Sequence, residues 1–452
     1  MSQEVTLTQI LQAREDRVHL QQSLLREYSC PLICFTMNIA GPVKNSPLIQ
    51  RGFQEGLQAL ADALPAEAIR KQHIDRAVTG CEAMYAVDMD AVQLKQICTA
   101  IEESSPLGRL FDMDVLDKTG IKLERSGLRG CIVCGAPGRG CAARRVHPVS
   151  QLQAVTNWIL RDHFRLSDAA RIAAKATESL IDEVHTTPKP GLVDRRNNGS
   201  HKDMDLSHFI ASANALGPYF EKCVQIGQDT ADQTPQETFL QLRQAGLRAE
   251  QAMYQATGGV NTHKGAIYTL GILCGSTGRL WTPETPIADT AAIASQCARM
   301  VSNAVDTDFA AADGSTAGLR LYKSLGIKGI RGEAAAGLPS VMRIGLPAFR
   351  EGLCKGLSKN DAGAIALLHL IAKVEDTNLL HRGGSTGAAW AAAAVQEILK
   401  TTPYPTVSTL ETLDDAFIAR NLSPGGCADL LAVTYFLHSL EISSIAALRI
   451  SL

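Results

Sequence analysis

The first 165 residues alternate between helical and extended patterns of apolar positions. Leu11, Val18 and Leu25 recur at helical spacing among charged residues, which predicts an amphipathic helix over residues 8–28. The apolar run Pro31–Ile39 instead predicts a buried strand. Further helices are predicted over residues 47–64, 92–101 and 151–164, and further extended segments over residues 82–87 and 109–116. This mixture indicates an α+β domain.

The pattern changes after Ser167, where alanine-rich segments of helical period follow one another. The alternation typical of strands is scarce in this part of the chain, which indicates an all-α domain. The predicted helices cover residues 168–184, 206–227, 235–257, 266–274, 361–380 and 387–399. We therefore predict a multidomain protein, with an α+β domain at residues 1–165 and an all-α helical domain at residues 166–452.

The chain is close to electrically neutral and carries no candidate membrane segment. Its 44 Lys and Arg residues and 46 Asp and Glu residues give a formal net charge of −2, which argues against a nucleic-acid partner. No stretch of about 18 uncharged apolar residues is present, and the polar N-terminus lacks the apolar core of a signal peptide. The 12 cysteines are scattered along the chain, unlike those of secreted disulfide-rich proteins. We expect a cytoplasmic protein that binds neither nucleic acid nor membrane.

Two aspartates lie two residues apart in the segment Gly108–Val115. On a strand, Asp112 and Asp114 share one face while Phe111 and Met113 share the other. Two carboxylates held close together repel unless a cation lies between them, and Mg²⁺ takes one or two carboxylates plus substrate phosphates. The spacing predicts a magnesium and nucleotide site of the nucleotidyltransferase kind, and a solvated edge strand is the alternative.

A block of basic residues follows the aspartate pair, between Lys118 and His147. It holds a single acid, Glu124, among seven cations. The cations are Lys118, Lys122, Arg125, Arg129, Arg139, Arg144 and Arg145. Such a block in a neutral protein predicts a phosphate-rich ligand or an acidic protein partner, and a solvated basic surface is the alternative.

The same segment contains three cysteines and a histidine at metal-ligand spacing. Cys131 and Cys134 form a C-x2-C pair, and Cys141 and His147 follow within a glycine-rich stretch. Three thiolates and one imidazole can close a tetrahedral Zn²⁺ site, which with four protein ligands would be structural. A set of free thiols in a loop is an equally open alternative.

A polar stretch, HTTPKPGLVDRRNNGSHKDMD over residues 185–205, separates two helices of the second domain. It is poor in apolar residues and dense in charges of both signs, so we predict a loop and not a core element. The charged residues include Lys189, Asp194, Arg195, Arg196, His201, Lys202, Asp203 and Asp205. They predict a site for a magnesium–polyphosphate, with cations on the oxygens and carboxylates on the metal. A surface loop with local salt bridges is the alternative.

Three further segments of the second domain combine glycines with charged or capping residues. Gly258–Gly265 precedes an apolar helix, and its Thr262 and Lys264 predict an anion site at the helix N-terminus. Gly326–Ala334 is predicted as a glycine-rich turn that carries Arg331 and Glu333. Ser423–Asp429 is predicted to begin a helix, with a structural role.

The end of the helix predicted over residues 361–380 combines several charged residues. His369, Lys373 and Asp376 are spaced to share one face of that helix. Asp376 is also close in sequence to His381 and Arg382, beside two glycines. This combination favours a site over an isolated Lys–Asp helix pair.

At this point the motifs resemble two known enzyme families. Residues 1–165 resemble the apo-citrate lyase phosphoribosyl-dephospho-CoA transferases, through FTMNIAGPVKNSP, GRLFDMDV and the C-x2-C segment that ends in CAARRVH. The remainder resembles triphosphoribosyl-dephospho-CoA synthases, through TTPKPGLVDRRNNGSHKDMD, GGVNTHKGAIYTLGIL, GIRGEAAAGLPSV and EDTNLLHRGG. The chain therefore looks like a fusion of the two enzymes that make and attach the citrate lyase prosthetic group.

The resemblance implies two consecutive reactions. In the second domain, ATP and 3′-dephospho-CoA would give 2′-(5″-triphosphoribosyl)-3′-dephospho-CoA with release of adenine. In the first domain, a serine of the citrate lyase acyl carrier subunit would accept the phosphoribosyl-dephospho-CoA group with release of pyrophosphate. The implied substrates and partner are thus ATP, 3′-dephospho-CoA and the acyl carrier subunit.

The residues are assigned roles in this chemistry as follows. The expected catalytic residues are Asp112, Asp114, Asp194, Asp205, His263 and Asp376. The expected phosphate or nucleotide ligands are Arg109, Arg125, Arg144, Arg145, Lys189, Arg195, Lys264, Arg331 and His381. The expected Mg²⁺ ligands are Asp112, Asp114, Asp203 and Asp205, and Cys131, Cys134, Cys141 and His147 would hold a structural Zn²⁺. Because Glu103-Ser-Ser105 stands where nucleotidyltransferases usually carry a Gly-Ser turn, the loop Asn38–Asn45 is a further source of phosphate contacts.

Two hypotheses from other classes remain open on the sequence. A non-catalytic adaptor would use its basic block to dock the acidic carrier protein and would not need Asp112. An ATP-dependent kinase or hydrolase in the helical domain would release ADP in place of adenine.

Overall fold

The computed structural model describes residues 3–127, 129–136, 141, 144–310 and 317–450. Its internal contacts divide the chain into two compact units, Met1–Arg165 and Leu166–Ile450. None of the helices in the described part is long and apolar enough to cross a membrane. All twelve cysteines are free.

The first unit combines three helices with a small antiparallel sheet. Its elements are α1 (Leu7–Tyr28), β1 (Leu32–Met37), α2 (Pro47–Ala63), β2 (Ile69–Ala77), β3 (Gly80–Val87), α3 (Ala91–Glu103) and β4 (Phe111–Leu116). The four strands are ordered β2-β3-β1-β4, and each neighbouring pair is antiparallel. The predicted α+β character of this part of the chain is confirmed.

The sheet is covered by helices on both faces. On one face Phe35 of β1 stacks on Phe53 of α2 with ring centroids 4.8 Å apart, and the ring of Phe111 meets it edge-on. On the other face Leu24 of α1 packs with Met84 and the remaining apolar residues of β1 and β3. Burial of these side chains is the main stabilising contribution to the unit.

Strand β2 was not anticipated from the pattern. Most side chains between Ile69 and Ala77 are exposed, so the segment lacks the apolar alternation that predicts a strand. The segment is nevertheless a strand because its backbone pairs antiparallel with β3. Residues 151–164 and 168–184 are predicted as two helices, but they belong to one continuous helix, α4 (Val149–His185).

The second unit consists of helices throughout its described part, as predicted. After α4 the helices are α5 (Leu206–Asp229), α6 (Pro235–Ala256), α7 (Lys264–Leu280), α8 (Thr290–Ala310), α9 (Ala317–Leu325), α10 (Gly329–Ala335), α11 (Leu346–Cys354), α12 (Lys359–Ile371), α13 (Thr377–Thr401), α14 (Val407–Ala419) and α15 (Gly425–Ile450). Helix α7 is buried around most of its circumference, and its residues join a core shared with α5, α12 and α15. An apolar helix of this kind belongs at the centre of a helical domain.

Two local predictions for this unit are wrong. The helix predicted over residues 361–380 ends at Ile371, and α13 starts at Thr377 because the side chain of Asp376 caps its N-terminus. His369, Lys373 and Asp376 therefore do not share a face of one helix. The segment around Arg331, predicted as a glycine-rich turn, forms the short helix α10.

The polar segment 185–205 is a loop, as predicted, but part of it is buried. Backbone and side chains from Pro188 to Asp194 are inaccessible to solvent, whereas Arg195 and Arg196 are exposed. Burial is tolerated because the carboxylate of Asp194 accepts hydrogen bonds from the backbone N–H groups of Lys189, Arg196 and Asn197. The expectation that this segment stays out of the core is therefore wrong for its first half.

Candidate active sites

Strand β4 presents its two aspartates on the face opposite its apolar residues. Phe111, Met113 and Val115 are buried, whereas Asp112 and Asp114 alternate with them and reach solvent. The Asp114 carboxylate pairs with the Lys122 ammonium at 2.5 Å. The arrangement predicted from the spacing of the pair is thus present.

Asp112 lies at the end of a row of polar side chains that crosses the sheet. It is opposite Thr36 of β1, Thr36 is opposite Glu82 of β3, and Glu82 is opposite Asp75 of β2. Directly opposed residues of antiparallel strands lie on the same face. Three carboxylates therefore share one surface of the sheet, and that surface is the floor of a cavity.

The cavity over this row has a volume of about 600 Å³. Its polar lining includes Arg14, Asp16, Arg17, Thr36, Asn38, Lys44, His73, Asp75, Glu82 and Asp112. Withdrawal from water, and then repulsion by Asp114, raises the pKa of Asp112. Arg17 pairs with Glu82 at 2.5 Å, and desolvation lowers the pKa of Lys44. The loop Asn38–Asn45 thus contributes a cation to this cavity.

Two of the four arginines expected to bind phosphate in this unit, Arg109 and Arg125, have other partners. Arg125 pairs with the buried carboxylate of Glu102 at 2.8 Å and with Glu103. Arg109 donates a hydrogen bond to the carbonyl oxygen of Gly130. The side chains of Arg144 and Arg145 are exposed, and Arg139 of the basic block is outside the described residues.

The predicted metal ligands of the basic segment converge. The three sulfur atoms and one ring nitrogen of Cys131, Cys134, Cys141 and His147 all lie within 4.8 Å of one another. A hydrogen bond from the backbone of Ala136, followed by those from His147 and Cys141, lowers the pKa of Cys134 to about 6. This thiol therefore ionises more readily than an ordinary cysteine.

A larger cavity, of about 1000 Å³, lies within the helical unit. Five residues predicted from separate motifs line it together. These are Lys189, His263, Lys264, Asp376 and His381. The loop before α5, the N-termini of α7 and α13 and the first turns of α15 supply most of its polar wall. Residues distant in the chain are thus assembled into one site.

Lys189 is a buried cation at this wall. Its ammonium donates hydrogen bonds to the carboxylate of Glu183 at 2.5 Å and to the carbonyl oxygen of the same residue at 2.8 Å, and 1% of the Lys189 side chain is exposed. Desolvation raises the pKa of Glu183, and the charge of Lys189 opposes that change. The pair supplies one fixed positive and one fixed negative charge to the cavity.

His263 precedes α7 and is held in a defined orientation. Its Nδ1 atom makes a 2.8 Å hydrogen bond with the hydroxyl of Ser212, and the ring of Phe209 meets it edge-on. Its Nε2 atom is buried and has no hydrogen-bond partner among the described residues. Burial, and then the charge of Lys189, lowers the pKa of His263 to about 3. The ring is therefore neutral at physiological pH, with one nitrogen free to bind a ligand.

Two aspartates face the same cavity at helix N-termini. Asp376 accepts hydrogen bonds from the backbone N–H groups of Asn378, Leu379 and Cys427. Asp429 lies against the start of α7, where a Cβ atom on Gly265 would overlap its carboxylate. Burial, and then the charges of Glu183 and Asp376, raises the pKa of Asp429 well above its ordinary value. Asp429 is thus a carboxyl group that keeps its proton more readily than an ordinary aspartate, as a proton donor requires.

The other predicted residues of this unit lie outside the described lining of the cavity. Asp205 caps α5, and its hydrogen bonds with Ser207 and His208 lower its pKa. Arg195 donates to Asn360, and Arg331 is 3.5 Å from Asp308. The remaining two are Asp194, which organises the 185–205 loop, and Asp203, which is exposed.

Several wall residues were not among the predicted site residues. They are Glu183, Lys328, Glu333, Ser423 and Asp429, whereas His201, Lys373 and Arg382, which belong to predicted site segments but were given no role, also line the wall. The segment Ser423–Asp429 enters a helix as predicted, yet Asp429 in the first turns of that helix also faces the cavity. The sequence feature that indicates a functional role for Asp429 is its position, as a charged residue at the start of an apolar helix.

Comparison with known families identifies both parts of the chain. A family model described as ATP:dephospho-CoA triphosphoribosyl transferase matches residues 169–445. Another, described as apo-citrate lyase phosphoribosyl-dephospho-CoA transferase, matches residues 5–163. Both descriptions are of transferases. The chain belongs to the family in which these two transferase domains are fused in that order, which confirms the resemblance drawn from the motifs.

Individual relatives agree with this assignment. The chain is 37% identical to Protein CitXG of Haemophilus influenzae over 96% of both chains. It is 32% identical to Protein CitXG of Leuconostoc mesenteroides over 96% of this chain and 97% of the relative. The helical part is similar to a probable 2-(5″-triphosphoribosyl)-3′-dephosphocoenzyme-A synthase of Vibrio cholerae, with 42% identity over 59% of this chain and 86% of the relative.

Proposed function

We propose that this protein catalyses both the synthesis and the attachment of the citrate lyase prosthetic group. The helical unit would convert ATP and 3′-dephospho-CoA to 2′-(5″-triphosphoribosyl)-3′-dephospho-CoA and adenine. The first unit would transfer the phosphoribosyl-dephospho-CoA group to a serine of the citrate lyase acyl carrier subunit. The observation that carries the proposal is that each family domain contains a cavity lined by both carboxylates and cations. The free thiols support a reducing compartment such as the cytoplasm.

In the helical unit, the 2′-hydroxyl oxygen of dephospho-CoA bonds to C1 of the ATP ribose as the bond from C1 to adenine breaks. The hydroxyl proton must go to a base, and the departing adenine must gain a proton. We assign proton transfer to Asp429, because it lines the cavity and its pKa is raised well above the ordinary value. Asp376 is the carboxylate suited to stabilise positive charge on the ribose, since it is buried and held by three backbone N–H groups.

The cations of this cavity would hold the triphosphate. Lys189 and Lys264 are at its wall, and Lys328 and Lys373 add further positive charge. Carboxylate oxygens are hard ligands suited to Mg²⁺, which when bound neutralises charge on the triphosphate. Because Asp205 is engaged as a helix cap, we assign the metal to the wall carboxylate of Glu333.

In the first unit, the serine oxygen of the carrier bonds to the α-phosphorus as the bond to the β-phosphate breaks. The serine proton passes to a carboxylate of the cavity or to the departing pyrophosphate, which is released. We propose a nucleotidyltransferase-like site in which Asp112 and its neighbours on the sheet hold Mg²⁺. Lys44 and Arg14 of the cavity wall would contact the phosphates.

Product analysis tests the two reactions separately. The full-length protein is incubated with ATP, Mg²⁺ and 3′-dephospho-CoA, and the products are separated by chromatography. Free adenine and a triphosphoribosylated coenzyme support the synthase, whereas ADP would identify the kinase or hydrolase. Adding the apo acyl carrier should then produce pyrophosphate and a heavier carrier. A carrier that binds but gains no mass would identify the adaptor.

A further inference from the structure

Four potential metal ligands of the first unit form a compact group in the segment that follows β4. The Sγ atoms of Cys134 and Cys141 are 3.5 Å apart, and Nε2 of His147 is 3.3 Å from Sγ of Cys134. Sγ of Cys131 completes a set whose members all lie within 4.8 Å of one another. Three side chains from a C-x2-C turn and a later cysteine thus meet a histidine at one point.

The two separations of 3.5 and 3.3 Å are close to those of a tetrahedral zinc site, and the 4.8 Å limit on the others leaves a small contraction for the ion to make. Zn–S bonds of about 2.3 Å and Zn–N bonds of about 2.0 Å place neighbouring ligand atoms about 3.5 to 3.8 Å apart. A disulfide requires an S–S distance of about 2.05 Å, which is far shorter than the 3.5 Å between Cys134 and Cys141. Three soft thiolates and one imidazole favour zinc over the oxygen-seeking magnesium ion.

The second nitrogen of the histidine ring is also engaged. Nδ1 of His147 is 3.2 Å from the side-chain oxygen of Gln151, in the first turn of α4. A partner of this kind fixes the orientation and tautomer of a metal-binding imidazole. The ring therefore already presents Nε2 to the three sulfur atoms.

We propose that Cys131, Cys134, Cys141 and His147 bind a structural Zn²⁺ ion. Binding replaces thiol protons, which are released to solvent as the thiolates bind the metal. Four protein ligands complete the tetrahedron, so the ion takes no substrate. The proposal goes beyond the two transferase reactions and does not depend on either.

The site also has a structural consequence for the strand that carries Asp112. The residue before Cys131, Gly130, accepts a hydrogen bond from Arg109. Arg129 donates to the carbonyl oxygens of Phe111 at 2.6 Å and Gly108 at 2.8 Å. A zinc ion would therefore hold one end of a segment whose other contacts are made directly to β4 and the turn before it.

Metal content of the full-length protein is the direct test. We expect one equivalent of zinc in protein purified without chelators, and loss of most of it in Cys134→Ser and Cys141→Ser. The matched control is Cys354→Ser, because Cys354 is exposed and lies in the other unit. After zinc removal, Co²⁺ should produce the visible absorption of tetrahedral thiolate coordination in the wild-type protein and in Cys354→Ser. Circular dichroism shows whether each variant is folded.

Limited proteolysis supplies a readout that is independent of activity. Removal of zinc should accelerate tryptic cleavage after Arg129, Arg144 and Arg145 several-fold, and leave the cleavage rate after Arg248 in the helical unit unchanged. The proposal is overturned if the folded wild-type protein contains no zinc and gives no cobalt absorption. A Cys134–Cys141 disulfide in the protein purified under reducing conditions, or equal zinc in the Cys134→Ser variant and the wild type, would also overturn it.

Discussion

At the scale of single residues, Asp429 combines two features that matter for the synthase reaction. It faces the cavity of the helical unit, and its pKa is raised by burial and by two neighbouring carboxylates. We predict that Asp429→Asn lowers kcat of the synthase by about 100- to 10,000-fold, because the amide cannot exchange the proton. Adenine release measures the effect. The control Asp232→Asn makes the same chemical change at an exposed position and should retain wild-type activity.

The buried ring of His263 predicts a pH dependence of stability. Its native pKa of about 3 lies below the unfolded value of 6.5, so the unfolded chain binds a proton that the native chain does not. Stability from this residue is complete above pH 6.5 and is lost as the pH falls toward 3. The groups that act on the ring are Phe209, Ser212 and Lys189, of which the lysine adds a repelling charge.

We therefore predict that His263→Asn weakens the loss of stability between pH 7 and pH 5. The wild-type protein should lose about 2 kcal/mol more over this interval than the variant. Urea unfolding followed at both pH values measures the difference. His19→Asn changes an exposed histidine and should behave as the wild type. Equal losses in the wild type and His263→Asn would show that the ring is protonated in the native protein.

Individual residues also show how far the sequence could predict the site. Asp112 and Asp114 could be selected because a two-residue period on a strand is visible in the chain itself. A dense polar loop predicts a ligand site for Asp194 and Asp205, yet the Asp194 carboxylate accepts N–H groups of the loop itself and the Asp205 carboxylate accepts that of Ser207 in the first turn of α5. Glu183 and Asp429 are brought close together only by tertiary packing, which a local sequence pattern does not predict.

At the scale of elements, β4 depends on a buried carboxylate of α3. Glu102 accepts a hydrogen bond from the backbone N–H of Met113 at 2.8 Å and pairs with Arg125. Only 3% of Glu102 is exposed. The carboxylate thus ties the helix to the strand that carries Asp112, and at the same time neutralises a poorly exposed guanidinium.

We predict that Glu102→Ala destabilises this region by about 3 kcal/mol or more, because it leaves the buried N–H of Met113 without its acceptor and removes the buried one of the two carboxylates that pair with Arg125. Hydrogen exchange of peptides that cover β4 measures the effect locally. Glu103→Ala is the matched control, because Glu103 pairs with the same arginine but is exposed. Its cost should stay below about 1 kcal/mol. Equal exchange rates in both variants would contradict the assigned role of Glu102.

Apolar periodicity predicts the positions of helices more accurately than the breaks between them. Apolar periodicity located α1, α2, α5 and α6 to within a few residues. It could not locate the break between α12 and α13, because the residues on both sides are apolar and only the capping side chain of Asp376 marks the new start. The break places the N-terminus of α13 at the cavity wall. This part of the candidate site therefore lies at a position that apolar periodicity does not predict.

At the scale of the whole molecule, the fusion predicts that its two activities can be inactivated separately. Asp112→Asn should abolish carrier labelling by at least ~100-fold while adenine release continues. Asp429→Asn should do the reverse when the preformed triphosphoribosylated coenzyme is supplied. Asp62→Asn, at an exposed position of the first unit, is the control for the former. Labelling that survives Asp112→Asn would exclude the proposed transferase site.

Mixing the two inactive proteins tests how the intermediate travels. Each variant alone should fail to label the carrier from ATP and 3′-dephospho-CoA, whereas the mixture should label it, because the intermediate is a small molecule that one protein releases and the other binds. Fusion raises the effective concentration of one site for the product of the other. The wild type should therefore exceed the mixture most strongly at low protein concentration, and the two rates should converge as concentration rises. A mixture that never labels the carrier would mean that the intermediate does not leave the protein that makes it.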